Sequence, residues 1–110
     1  MLKILNDGTI QLTRGDTARI TVSITNEIDN TEYVMKEKDI LVLSVKKTIN
    51  DEKHVFQKMV RGVNTFHIEP MDTAHKKFGQ YKYDVQLTTA DGDVFTVIQA
   101  STFEILAEVS

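Results

Sequence analysis

Three histidines, His54, His67 and His75, are the natural candidates for a general base in this sequence. A histidine acting as a base needs a nucleophile and an orienting group within hydrogen-bond reach. No Gly-x-Ser-x-Gly, His-Glu-x-x-His or phosphate-cradling glycine pattern accompanies any of the three. Cysteine is absent, which excludes a thiolate nucleophile and a disulfide framework. We therefore expect solvated histidines, no catalytic residue and no enzymatic activity.

Two short acidic patterns could bind a metal ion. His67 and Glu69 would share one face of a strand just before Asp72, and nitrogen and oxygen ligands suit zinc or manganese. A polar strand end leading into the turn at Pro70 explains the same residues. The Asp-Gly-Asp at 91–93 opens like a calcium loop, but apolar residues occupy its later ligand positions, so it indicates a hairpin turn. We expect no metal ion and no other cofactor.

The tripeptide Arg14-Gly15-Asp16 is the sequence associated with receptor adhesion. Glycine supplies backbone freedom and aspartate bonds its own backbone locally, so the same residues are typical of a turn. A turn between two strands is the interpretation that we prefer.

Composition limits the classes of partner. A chain of 110 residues fits one domain, residues 1–110. Its net charge of −3 lacks the basic stripe of a nucleic-acid-binding protein. No run of about 20 apolar residues could span a membrane, and the first eight residues do not resemble a signal peptide. We expect a globular protein that binds neither nucleic acid nor membrane.

Period-two alternation of apolar and polar residues is the clearest structural signal. It runs through residues 17–25 and again through 81–88, which predicts two half-buried strands. The nearly continuous apolar run at 40–45 favours a central strand. Shorter strands are expected at 10–12, 55–60 and 64–68, and a last strand is expected at 94–105 with a bulge near 99–101.

These elements predict an all-β protein, an antiparallel immunoglobulin-like β-sandwich of about seven strands. Tyr81 or Tyr83 would then lie near the tyrosine corner of such a fold. A short helical turn is expected after Asp72, which would cap it, and before Gly79. Residues 27–39 read as a long connection between the sheets.

Apolar residues that face outward are the candidate interface. If Phe95, Val97, Phe103 and Ile105 face the core, alternation turns three other residues of the last strand outward. The apolar N-terminus is a second candidate for docking. The candidate interface residues are Leu2, Ile4, Leu5, Val94, Ile98 and Leu106.

Five stretches of the chain, 10–20, 40–47, 68–73, 79–87 and 92–105, resemble small structural proteins of bacteriophages and prophages of Gram-positive hosts. The similarity is closest to the N-terminal immunoglobulin-like domain of siphophage upper-baseplate proteins, although those proteins carry a further stalk or receptor-binding region. The resemblance implies a virion structural protein of baseplate, tail or head. It also implies self-association or binding to other phage structural proteins, with a place in the virion or, before assembly, in the bacterial host cytoplasm.

A carbohydrate-binding or adhesion module is the alternative function. Such a module needs an aromatic platform on one sheet face. Tyr33 and any partly exposed tyrosine are the candidates, and tryptophan is absent.

Overall fold

The computed structural model of the chain describes residues 8–26 and 28–108, together with the backbone of residues 2–4. In chain order its elements are β1 (Leu2–Ile4), β2 (Ile10–Thr13), β3 (Ala18–Thr21), β4 (Ile40–Lys46), β5 (Phe56–Arg61), β6 (Thr65–Ile68), α1 (Pro70–Thr73), β7 (Gly79–Thr88) and β8 (Val94–Leu106). The all-β prediction is confirmed. Within the described ranges no helix has the length and apolar character needed to cross a membrane.

The strands form two sheets of unequal size. Six strands make the large sheet in the order β1-β2-β8-β7-β4-β5, and β3 pairs with β6 in a small sheet. One pairing departs from the expected antiparallel arrangement, because β2 runs parallel to β8 with Ile10 opposite Phe103. These two strands are separated by almost the whole chain, so no tight hairpin forces them to be antiparallel.

Alternation places one apolar face of each strand in a shared core. In β4 the buried residues are Leu41, Leu43 and Val45, and β6 contributes Phe66 and Ile68 from the opposite sheet. Side chains of this size contribute about 1.5–3 kcal/mol each when they are fully buried. The facing rows form one continuous hydrophobic cluster across both sheets.

Two irregularities in β8 change the orientation that the sequence predicts for Ile98. Between Tyr83 and Val85 the partner on β8 moves from Ser101 to Ile98, three residues instead of two, so the expected bulge near 99–101 is confirmed. A second register shift follows at the next residue of β7. The prediction that Ile98 faces outward is wrong, because the bulge turns it toward the core, where it packs.

The helical turn begins earlier than expected. Pro70 is its first residue and Asp72 its third, so Asp72 is not the cap. The Asp72 carboxylate accepts the backbone N–H of Glu69 at 2.7 Å and pairs with Lys58 of β5, also at 2.7 Å. The turn is thereby attached to the edge of the large sheet. Beyond it, the hydroxyl of Tyr81 donates to the backbone carbonyl of Lys77 at 2.6 Å.

Candidate functional site

The outer face of the large sheet carries apolar side chains that the core does not use. Because Leu41 and Leu43 point inward, Ile40 and Val42 point outward on β4. Residues that are paired across neighbouring strands lie on the same face of the sheet. The partners of Ile40 and of Val42 on β5, β7 and β8 therefore also point outward and form two rows across the sheet. We define the outer patch as the residues of these two rows other than Arg61: Ile40, Val42, Met59, Gln86, Thr88, Val94 and Thr96.

Two apolar side chains of the outer patch are largely open to solvent. Met59 is 68% exposed and Val94 is 59% exposed. Every residue of the outer patch is uncharged, whereas Arg61 and Asp84 lie at its margin on the same face. An uncharged centre with a polar and charged margin is typical of a protein-binding surface.

A buried carboxylate holds the end of the sheet where the outer patch begins. Asp39 directly precedes β4 and is only 1% exposed. Its carboxylate accepts hydrogen bonds from the hydroxyl of Tyr33 at 2.5 Å and from the backbone N–H of Lys36 at 2.9 Å. These bonds favour the ionised form and lower the pKa of Asp39, and the bond to Asp39 raises the pKa of Tyr33 to about 12.

Gly62 fixes the neighbouring end of β5. Its backbone N–H donates to the carbonyl of Asp39 at 2.8 Å. Its φ of +72° is one that side chains rarely adopt, and a Cβ there would lie 3.1 Å from the backbone oxygen of Glu37. The loop containing residues 36–39 therefore packs directly on the strand end beside Arg61, which gives the outer patch a defined border.

The predicted interface residues do not form one surface. Val94 lies in the outer patch, while Leu106 pairs with Thr13 at the other end of the same strand. At a rise of about 3.3 Å per residue the two can be up to roughly 40 Å apart. Ile98 faces inward, as described above.

The N-terminal part of the predicted interface is described only in part. The backbones of Leu2 and Ile4 lie in β1, at the edge of the large sheet. Their side chains, and the whole of Leu5, lie outside the described residues.

Sequence reasoning missed Met59 and Val42. The signal for Val42 was present, because an apolar run at 40–45 gives β4 two apolar faces. Met59 stands between Lys58 and Val60 on a strand whose exposed positions are otherwise polar. Only its pairing opposite Val42 shows that it continues an apolar row.

The residues considered for chemistry are dispersed. His54, His67 and His75 are all exposed. Within the part of the chain that the structure describes, no three histidine, aspartate or glutamate side chains are grouped to hold a metal ion. Tyr33, the candidate for a carbohydrate platform, is half-buried with its hydroxyl bonded to Asp39.

The Arg14-Gly15-Asp16 tripeptide forms the predicted turn. The backbone N–H of Asp16 donates to the carbonyl of Thr13 at 3.1 Å, and Gly15 has a φ of +83°. The Arg14 guanidinium bonds both carboxylate oxygens of Glu108, at 3.2 and 2.7 Å. The tripeptide is thereby tied to the end of the chain instead of projecting freely.

The chain was compared with models of protein families, with characterised proteins and with solved structures, and nothing in any of the three matches it.

Proposed function

We propose that this chain is a non-enzymatic structural protein of a bacteriophage or prophage particle that works by protein–protein assembly through the outer patch. The observation that carries the proposal is an uncharged sheet face with Met59 and Val94 exposed. Burying such side chains against a partner releases apolar surface from water, which favours association. The partner is a second copy of this chain or another structural protein of the particle.

We also propose that the fold is an immunoglobulin-like sandwich. The neighbouring strands β8, β7 and β4 correspond in order to strands G, F and C of that fold, and β3 with β6 to strands B and E. The hydroxyl of Tyr81, near the start of β7, bonds the carbonyl of Lys77 four residues upstream. A bond of this kind at the corner between strands E and F is the tyrosine corner.

The resemblance to siphophage upper-baseplate proteins supports the same assignment. Its stretches 40–47, 79–87 and 92–105 include most of β4, β7 and β8, three of the four strands that contribute to the outer patch, but not β5. Proteins of this kind function within oligomeric assemblies, and the proposal gives the outer patch that role.

Light scattering and co-purification test the proposal together. The purified chain should form a defined oligomer, or it should co-purify with a tail, baseplate or head protein encoded beside it and identified by mass spectrometry. A chain that stays monomeric at high concentration and binds none of those neighbours would contradict the proposed function.

A further inference from the structure

The two layers of the sandwich do not match in width. The large sheet has six strands and the small sheet has two. Part of the inner face of the large sheet is consequently uncovered, as Phe95 of β8 shows. This residue pairs with the buried Leu87 and so points to the inner side, yet it is 53% exposed. An apolar sheet face of this kind is normally covered by a second layer.

One edge of β3 is open beside this uncovered face. The backbone N–H of Val22 donates to the carbonyl of Asn64 at 2.9 Å, and the Asn64 side chain donates to the carbonyl of Val22 at 2.8 Å. Backbone groups alternate along a strand, so those of Thr21 and Ser23 point away from β6. Within the described ranges no strand pairs with that edge.

A slot of about 400 Å³ lies between the open edge and the large sheet. Residues 20–23 form one wall, and the other comes from the inner face of the large sheet and includes Ile10, Leu43, Val85 and Ile98. Among the described residues that line the slot, none has a charged side chain. Most of these apolar side chains are buried. Its volume lies in the range of roughly 300–1,000 Å³ that ligand sites occupy.

We propose that this slot and the open edge of β3 bind an extended segment of another protein, which adds to the small sheet as a third strand. The backbone of the segment would bond Thr21 and Ser23, and every second side chain would enter the slot. Those side chains should be apolar, because the described residues that line the slot are uncharged. This second site lies on the inner side of the large sheet, opposite the outer patch, and its existence does not depend on the proposed function.

The charge of Arg19 indicates which residues the bound segment carries on the face that points away from the slot. Arg19 is exposed on β3 and, among the described residues, no carboxylate pairs with it. A strand added to this edge would place an outward side chain beside Arg19, and an acidic residue there is favourable. The segment therefore alternates apolar residues with polar ones that include an acid.

The open edge of β3 has few of the sequence features that prevent another strand from pairing with an exposed edge. Such edges are usually blocked by proline, by bulges or by several charges. Residues 18–24 contain no proline or glycine, and Arg19 is their single charged residue. A small molecule would leave the outward backbone groups of Thr21 and Ser23 unpaired, whereas an extended segment satisfies them.

The direct test is an array of nine-residue peptides with valine, isoleucine or leucine at every second position and threonine or aspartate between them. Scrambled peptides of the same composition are the control. We expect alternating peptides to bind and to slow hydrogen exchange at the amides of Thr21 and Ser23. Thr21→Pro removes an outward N–H and the side-chain bond to Thr65 but leaves the backbone bonds to β6, and it should weaken binding at least about tenfold.

A charge reversal tests the same site without altering the backbone. Arg19→Glu should weaken the aspartate-containing peptides by about two- to fivefold and strengthen their lysine-containing counterparts. Arg61→Glu makes the same change on the large sheet and should leave peptide binding unchanged. The Arg19→Glu result also stands if Thr21→Pro fails to fold.

Three outcomes would overturn the proposal. In the first, no alternating peptide binds at millimolar concentration. In the second, bound peptides are insensitive to both β3 variants while Thr21→Pro remains folded. In the third, the chain forms a dimer that Thr21→Pro abolishes, which assigns the edge to a second copy. Loss of binding at the outer patch would contradict the proposed function but not the peptide site at β3. Failure of the one proposal can therefore be distinguished from failure of the other.

Discussion

The hydroxyl of Tyr33 donates a 2.5 Å hydrogen bond to the buried carboxylate of Asp39, six residues further along the chain. Asp39 directly precedes β4, whose first residue, Ile40, belongs to the outer patch. A buried charge thus bonds Tyr33 of the long connection to the residue that precedes β4. A buried carboxylate is costly unless its oxygens are bonded, so the stability of this corner depends on its donors.

Tyr33→Phe removes one donor to that carboxylate and nothing else. We expect the free energy of unfolding to fall by about 1.5–3 kcal/mol, the range for hydrogen bonds to charged groups. Urea denaturation at neutral pH measures the loss. Tyr81→Phe is the matched control, because the Tyr81 hydroxyl bonds a neutral carbonyl, for which about 0.5–1.5 kcal/mol is expected. Equal losses in the two variants would contradict a special role for Asp39.

The same pair predicts a stability difference at alkaline pH. Its bond to Asp39 raises the pKa of Tyr33 to about 12 in the folded state, against about 10 for an unfolded chain. The unfolded state therefore loses its proton first, and stability that is complete below pH 10 is lost as the pH rises to 12. Burial also raises the pKa of Tyr81, so part of the decline has a second source.

Urea midpoints measured between pH 8 and 12 for the native chain and for Tyr33→Phe isolate the contribution of Tyr33. The difference between the two should shrink across that interval. A difference that stays constant would show that Tyr33 ionises at its ordinary pKa.

Local sequence patterns predict where the strands lie, but they do not predict which distant strands pair with each other. Alternation at 81–88 locates β7, and the Asp91-Gly92 hairpin is confirmed by a bond from the Gly92 N–H to the carbonyl of Thr89. The bulge near 99–101 was predicted, but the second register shift, opposite Val85 and Gln86, was not, and Ile98 lies between the two, so its inward orientation was not predicted. The pairing of Met59 with Val42 joins residues of two strands, and nothing in either strand alone reveals the shared row.

The open edge of β3 was beyond sequence reasoning for the same reason. Alternation at 17–25 predicts a strand with one buried face, and the structure agrees, with Ile20 and Val22 buried. Which strand lies on each side of β3 depends on the path of the whole chain. A sequence pattern gives the face of a strand but does not give its neighbours.

Two glycines with positive φ provide a paired test of packing beside the outer patch. Gly62 has a φ of +72° and Gly92 a φ of +89°. A Cβ at Gly62 would lie 3.1 Å from the backbone oxygen of Glu37, while at Gly92 no atom lies within 4 Å. Backbone strain alone costs about 1–3 kcal/mol at either position.

Gly62→Ala should therefore destabilise the chain by more than Gly92→Ala, with an excess of about 1 kcal/mol or more for the displaced backbone. Thermal or urea denaturation of both variants gives the comparison. If the two alanine variants lose the same stability, the loop containing Glu37 does not pack against Gly62 as the structure describes.

Charge placed in the outer patch tests whether this face is where the protein assembles. Met59→Lys and Val94→Lys each put an ammonium group where a partner would have to remove it from water. Either substitution should weaken self-association or partner binding at least about tenfold, because an unpaired charge buried in an interface costs more than about 1.4 kcal/mol. Both positions are exposed, so the stability of the isolated chain should change by less than about 0.5 kcal/mol.

Ile28→Lys is the matched control, since Ile28 is 96% exposed and lies in the connection between β3 and β4, outside the outer patch. Like Met59→Lys and Val94→Lys, it replaces an exposed apolar side chain with a positively charged one. Analytical ultracentrifugation of the native chain and the three variants, alone and with the co-purifying partner, provides the comparison. Assembly that survives Met59→Lys and Val94→Lys, or that Ile28→Lys weakens equally, would move the interface away from this face of the large sheet.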